Sequence, residues 1–305
     1  MSASISISTG RSYGVKRVCS SWGVARSTFY ASPPEAEPAR RGPAPAVCDE
    51  ELHAMIADDL ERSPFSGEGH RPVWARLRVS GVRVSRRRVL RLMREHGLLS
   101  PHRVRQGEGI SHEGRITTDA PDLMWGTDGT RVLTVDEGMC WIFTAVDHFN
   151  CEVVGRHVCK RGDRFAALQP VSQGLLKHFG GVSADVARGL SLRMDNGTQY
   201  VSDHFRNQVR FWGMEASYAL IEQPQTNGVA ERFFKTPKDQ IIHGRIYRTV
   251  AEVREAVETF VDLYNDQWLP EKNGFMSPSA TRAARRGVVY EALCPVFPSI
   301  AFSRP

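Results

Sequence analysis

No close C-x-x-C pair occurs among the six cysteines, Cys19, Cys48, Cys140, Cys151, Cys159 and Cys294. Neither a zinc module nor a disulfide framework is indicated, and buried free thiols are expected. No run approaches the roughly eighteen apolar residues of a membrane span. The opening MSASISISTGRS also lacks the continuous apolar stretch of a secretory signal. Both absences point to a cytoplasmic protein with no membrane partner. Acid is scarce in one region only: residues 70–105 hold eleven arginines against a single carboxylate, Glu95. Residues 1–118 carry 19 Lys+Arg and 12 Asp+Glu, while 119–305 carry 21 and 22, so the net charge of +6 is N-terminal in origin. That density suits a surface that meets phosphate; the plainer alternative is a solvated helix face.

The chain then divides by texture. In residues 1–30, Val15, Val18 and Trp22 sit at helical spacing before a glycine. The segment reads either as a helix-turn-helix fragment or as a plain amphipathic helix pair. Proline and alanine make 31–48 a linker. Residues 49–105 form a helical region: Leu52, Met55, Ile56 and Leu60 pattern one helix, and RPVWARLRVSGVRVSRRRVLRLMREHGLL breaks at Ser80-Gly81 into two more, with Ser85 as N-cap. A helix, a short glycine turn and an arginine-rich helix form the helix-turn-helix pattern. A second linker is expected over 106–120.

From Pro121 strands take over: RVLTV, MCWIFTAVDHF and EVVGRHVC form a meander, followed by a helix over 163–180 containing Pro170, strand LSLRMD, helix SDHFRNQVRFWG and strand MEASYA. Strands interleaved with helices imply a mixed sheet covered on both faces. A helix from about Val229 and an amphipathic helix over 251–266 complete a core domain at 121–285, with a tail at 286–305. Trp125 reads as core packing, and His148 as a satisfied core residue more readily than as a site residue.

Three acids stand beside small residues at strand ends or at a helix start: Asp128 in MWGTDGT, Asp195 in LSLRMDNGTQY and Glu231 in QTNGVAERFFK. Each alone is weak, because an aspartate at a strand end is usually a turn former. Their order and the 36-residue step from 195 to 231 are more telling. With WGTDGT, DNGTQY and NGVAERFFKT at its three stations, the chain resembles the integrase core of insertion-sequence transposases, specifically the longer reading frame of two-frame insertion sequences, which share a superfamily with retroviral integrases. The resemblance runs from HRPVWARLR to YNDQWLPEKNGFMSPSATR.

The resemblance implies an α/β fold: a ribonuclease H-like mixed five-stranded sheet flanked by helices, preceded by a small all-α helix-turn-helix region. It implies Asp128, Asp195 and Glu231 as a catalytic, metal-binding triad for Mg²⁺, with Mn²⁺ as a substitute. Carboxylates suit paired hard cations about 3.5–4 Å apart. The activity implied is strand cleavage and 3′-hydroxyl transfer at insertion-sequence ends. The implied partners are double-stranded DNA (transposon ends and target), further copies of the chain on that DNA, and the product of an upstream reading frame, in a bacterial cytoplasm and at the nucleoid. Lys235 and Lys238 follow Glu231 on one helix face and are candidates for gripping DNA, the alternative being a solvated lysine face. Arg83, Arg86, Arg87, Arg88 and Arg91 are candidate DNA contacts, mostly to phosphate. Asn196 is placed to orient a ligand and Gly197 to allow a tight exit, unless they form a plain turn. One departure stands out. Pro237 occupies a position where the family usually has leucine, and a proline there predicts a kink between Glu231 and Lys238. Two alternatives stay open: a weakened, DNA-binding copy acting as a repressor, and a hydrolytic nuclease of the same fold.

Overall fold

The structure, a computed structural model, describes residues 3–31, 46–99, 118–218 and 235–285. Most of both linkers, the helix start at Val229 with Glu231, and the tail 286–305 lie outside the described residues. The chain divides into two compact units, 1–46 and 47–305. In the first, α1 (Gly14–Ser21) and α2 (Arg26–Tyr30) are joined through Gly23, which takes the left-handed conformation at φ 64°. Cys19 is the buried residue of α1, whereas Trp22 stands beyond the helix and is 68% exposed.

The second unit opens with three helices, α3 (Asp49–Arg62), α4 (His70–Val79) and α5 (Arg86–Glu95). The first begins in a capping box in which a thiol takes the usual hydroxyl role. Cys48 Sγ accepts from the Glu51 N–H, and the Glu51 carboxylate accepts from the Cys48 N–H. The break between α4 and α5 falls at Ser80-Gly81, where Gly81 adopts φ 91°. Ser85 caps α5 by accepting from the Arg88 N–H. Leu52, Ile56, Val73, Leu77, Val89, Leu92 and Met93 close the core of the three helices.

Strands β1 (Met124–Thr134), β2 (Gly138–Asp147) and β3 (Val153–Cys159) form the antiparallel meander. Then come α6 (Arg164–Phe179), β4 (Ser191–Met194), α7 (Asp203–Phe211) and β5 (Glu215–Tyr218). The sheet order is β3-β2-β1-β4-β5, with β4 parallel to β1 and β5 parallel to β4. This is the ribonuclease H-like mixed sheet. Helices α6 and α7 cover one face over Trp125, Phe143, Leu192 and Met194. Helix α8 (Val250–Gln267) covers the other, over Val132, Ile142 and Val146. Pro170 stays inside α6 and is buried. Directly beneath it, a Cβ on Gly155 would fall 1.9 Å from the Pro170 carbonyl oxygen, so only glycine lets the helix lie this close to β3.

The chain continues through a 3₁₀ turn (Glu271–Asn273) into α9 (Pro278–Arg285). There Arg282 is buried between Asp122 at 2.6 Å, Asp147 at 2.7 Å and Glu152, tying the C-terminal motif to the start of β1, the end of β2 and the start of β3. The three-helix region is anchored on the core by Phe65, whose ring packs edge-on to Trp268 at 4.9 Å. Beside it the Gln240 amide pairs with Ser66, accepting from its N–H at 2.8 Å and donating to its carbonyl at 2.6 Å. Among the described residues no helix is long and apolar enough to cross a membrane.

Candidate active site and nucleic-acid interface

Asp128 stands in the interior of β1, opposite Thr144 of β2, and not at a strand end as its glycine-flanked setting suggests. Strand β1 starts at Met124, well before the RVLTV run. Pairing with β2 on one side and β4 on the other extends a segment whose own strand propensity is poor. The register sets Gly126 beside Arg193, and two residues further on it brings Asp195, the first residue past β4, alongside Asp128. Trp125, Leu192 and Met194 point into the α6–α7 core. By alternation both carboxylates project from the opposite face.

Each acid is steadied by its own backbone: Asp128 Oδ1 accepts from the Gly129 N–H at 2.7 Å, and Asp195 Oδ1 from the Gly197 N–H at 2.8 Å. A Cβ on Gly197 would sit 2.9 Å from that Asp195 oxygen and 2.8 Å from Gln199 Nε2, so any larger residue would have to displace those two side-chain ends. Asn196 is exposed at the same turn. Tyr200, which sequence reasoning missed, is buried next to both acids. Burial, then the charges of Asp128 and Asp195, push its phenol well above the usual range. Its place in DNGTQY, five residues past Asp195, was the available signal.

Glu231 lies outside the described residues. The chain is described again from Lys235, which is exposed, and Pro237, Ile241 and Ile242 line a small cavity with Thr130, Ile142 and Thr144, on the sheet face that bears Asp128. After Pro237 the helical bonding widens into a π turn (Lys238–Ile242), closed by the His243 N–H donating to the Lys238 carbonyl at 2.7 Å. Lys235 thus precedes the π turn and Lys238 opens it. Among the described residues no group of three or more His, Cys, Asp or Glu is arranged to hold a metal. The Asp128–Asp195 pair is a hard-oxygen donor set suited to a divalent cation.

The candidate DNA-contacting arginines, Arg83 just before α5 and Arg86, Arg87, Arg88 and Arg91 within it, separate by their partners. Arg88 binds Asp49 and donates to the Val47 carbonyl at 2.7 Å, while Arg91 binds Asp49 at 2.6 Å and Glu95 at 2.8 Å. Arg86 reaches Glu271 at 3.3 Å and lies over the Trp74 ring. Arg83 and Arg87 are exposed and make no ion pair within the described residues.

An integrase core domain model matches residues 118–224, a second integrase core domain model matches 212–278, and an HTH-like domain model matches 67–106. The transposase for insertion sequence element IS629 of Shigella sonnei is 28% identical over 284 residues, covering 89% of this chain and 92% of that protein. The transposase for IS904 of Lactococcus lactis is 25% identical over 196 residues, covering 61% and 75%. Among solved structures, the catalytic core domain of BIV integrase aligns at 18% identity and a TM-score of 0.38, over 56% of this chain and 99% of that one. The chain thus carries an HTH-like domain leading into an integrase core domain, and the curated relatives it resembles are insertion-sequence transposases.

Proposed function

We propose that this chain is a metal-dependent DNA transposase that cleaves at insertion-sequence ends and joins the freed 3′-hydroxyl to a second phosphodiester. The observation that carries the proposal is the Asp128–Asp195 pair, one carboxylate in β1 and one just past β4, which the β1–β4 register sets side by side on one face of the sheet. With Glu231 they would hold Mg²⁺, or Mn²⁺ in its place; the HTLV-2 integrase catalytic core, a 15% identical neighbour, was solved in complex with magnesium. A divalent ion bound there supplies activation of the attacking oxygen and stabilisation of the leaving one. The protein's own part is positioning. The carboxylates fix oxygen ligands on a rigid sheet, Lys235 and Lys238 offer charge to DNA phosphates, and α4–α5 brings the transposon end to the core. Two ends must be held together, so we assign the active form to a homo-oligomer on double-stranded DNA, acting with the product of an upstream reading frame.

The test is a joining assay with a pre-cut duplex end, a plasmid target and Mg²⁺, in which the reading expects covalently joined product. Hydrolysis without joining would identify a nuclease of the same fold. The π turn after Pro237 favours a second reading, a weakened copy that occupies ends and represses. Comparing Pro237→Leu with wild type separates the two: the transposase reading expects no gain in cleavage from leucine, because Ile241 of the turn is already buried in the core beside Ile142. A large gain would mark the natural chain as impaired.

A further inference from the structure

Arg193 carries a charge that the described fold does not neutralise. It lies on β4 two residues before Asp195, and is only 7% exposed. The other buried arginine among the described residues, Arg282, is matched by Asp122, Asp147 and Glu152, and the half-buried Arg76 by Asp59 and Glu68. Arg193 forms no ion pair within the described residues. Its NH1 donates to Ser217 Oγ at 2.9 Å, and its buried Nε has no acceptor. His148 nearby offers no counter-charge. His148 is fully buried with neither ring nitrogen partnered, and burial with the charges of Lys272 and Arg193 pushes it down to about 4.

A buried cation without a counter-charge destabilises a fold unless an anion is supplied from elsewhere. The position says which anion. Alternation sets Arg193 on the same sheet face as Asp195 and Asp128, one pleat repeat, about 6.6 Å, back along the strand. Its neighbour on β1 is Gly126, which places no side chain beside it. Arginine presents a planar fork of donors matched to phosphate oxygens.

We propose that Arg193 forms a phosphate-binding subsite for the DNA strand held at Asp128 and Asp195. The inference rests on the transposase reading for its ligand, and it assigns Arg193 as a residue kept for DNA at the expense of the free protein's stability.

The experiment uses the full chain, Arg193→Met and Arg193→Lys, and a duplex carrying the element's own end with single phosphates replaced in turn by neutral methylphosphonates. The expected results are a Tm of the DNA-free Met variant raised by about 2–4 °C and an affinity for the unmodified end lowered about tenfold. One methylphosphonate position near the cleavage site should weaken wild type but not the Met variant, and lysine should restore part of the affinity. A lowered Tm with every methylphosphonate effect unchanged in the Met variant would make Arg193 a structural cation and overturn the proposal. Wild type that binds the end but neither cleaves nor joins would sink the transposase reading while the methylphosphonate pattern still decides the subsite. No binding by wild type would end both.

Discussion

Two histidines govern how this fold meets acid. His148 is pushed down to about 4 by burial, Lys272 and Arg193, and His178 is lowered by burial and Arg282. Both are neutral when folded, whereas an unfolded histidine titrates near 6.5. The unfolded chain therefore takes up protons that the folded chain refuses, and stability falls as pH drops from about 6.5 toward 4. Glu152, held below the usual carboxylate range by Arg282 and Lys177 in spite of its burial, extends the loss at lower pH. At pH 5 His148 alone removes about 2 kcal/mol relative to pH 7. Thermal melts from pH 7 to 5 should show a falling Tm, with a shallower slope in His148→Leu; a wild-type Tm flat across that range contradicts the assignment. At this scale the sequence reading located residues better than it bonded them. Trp125 is core, as expected. His148 is core too, but unsatisfied, because whether a buried ring finds a partner depends on strands far apart in the chain.

Elements were legible where their patterning is local. The meander, Ser85 as a cap, the break at Gly81 and the helix through Pro170 all follow from neighbouring residues. What local pattern could not give was extent and approach. Strand β1 owes its first half to partners on both sides, which moved Asp128 from a strand end to a strand interior. The close seating of α6 on β3 depends on Gly155 meeting Pro170, residues with no relation in sequence. Gly155→Ala should therefore cost about 1–3 kcal/mol, read as a lowered midpoint in chemical denaturation. An unchanged midpoint would mean the helix can lift off the strand freely. The kink expected between Glu231 and Lys238 falls mostly outside the described residues, and the π turn over Lys238–Ile242, which presents Gln240 to Ser66, was not legible in the sequence.

Across the whole molecule, the basic excess lies in the HTH-like region and the carboxylates of the site lie in the core. Sequence alone treated the arginines in and just before α5 as one group. The fold separates them, since Asp49 at the start of α3 engages Arg88 and Arg91 while Arg83 and Arg87 are left facing solvent. Arg87→Gln should weaken binding to DNA of any sequence and lower the salt slope by about 1. Arg88→Gln should lower Tm and leave that slope alone; the reverse pattern would reassign the two. The third acid, Glu231, rests on spacing and resemblance, while Asp128 and Asp195 rest also on register. The central claim is that these three carboxylates form one metal-dependent centre. Its most direct test is cleavage of a labelled duplex bearing the element's own end, with Mg²⁺ or EDTA, by wild type, Asp128→Asn and Glu231→Gln. The account predicts nicking that requires Mg²⁺ and is lost in both variants while DNA binding persists; nicking that survives EDTA or either substitution would contradict it.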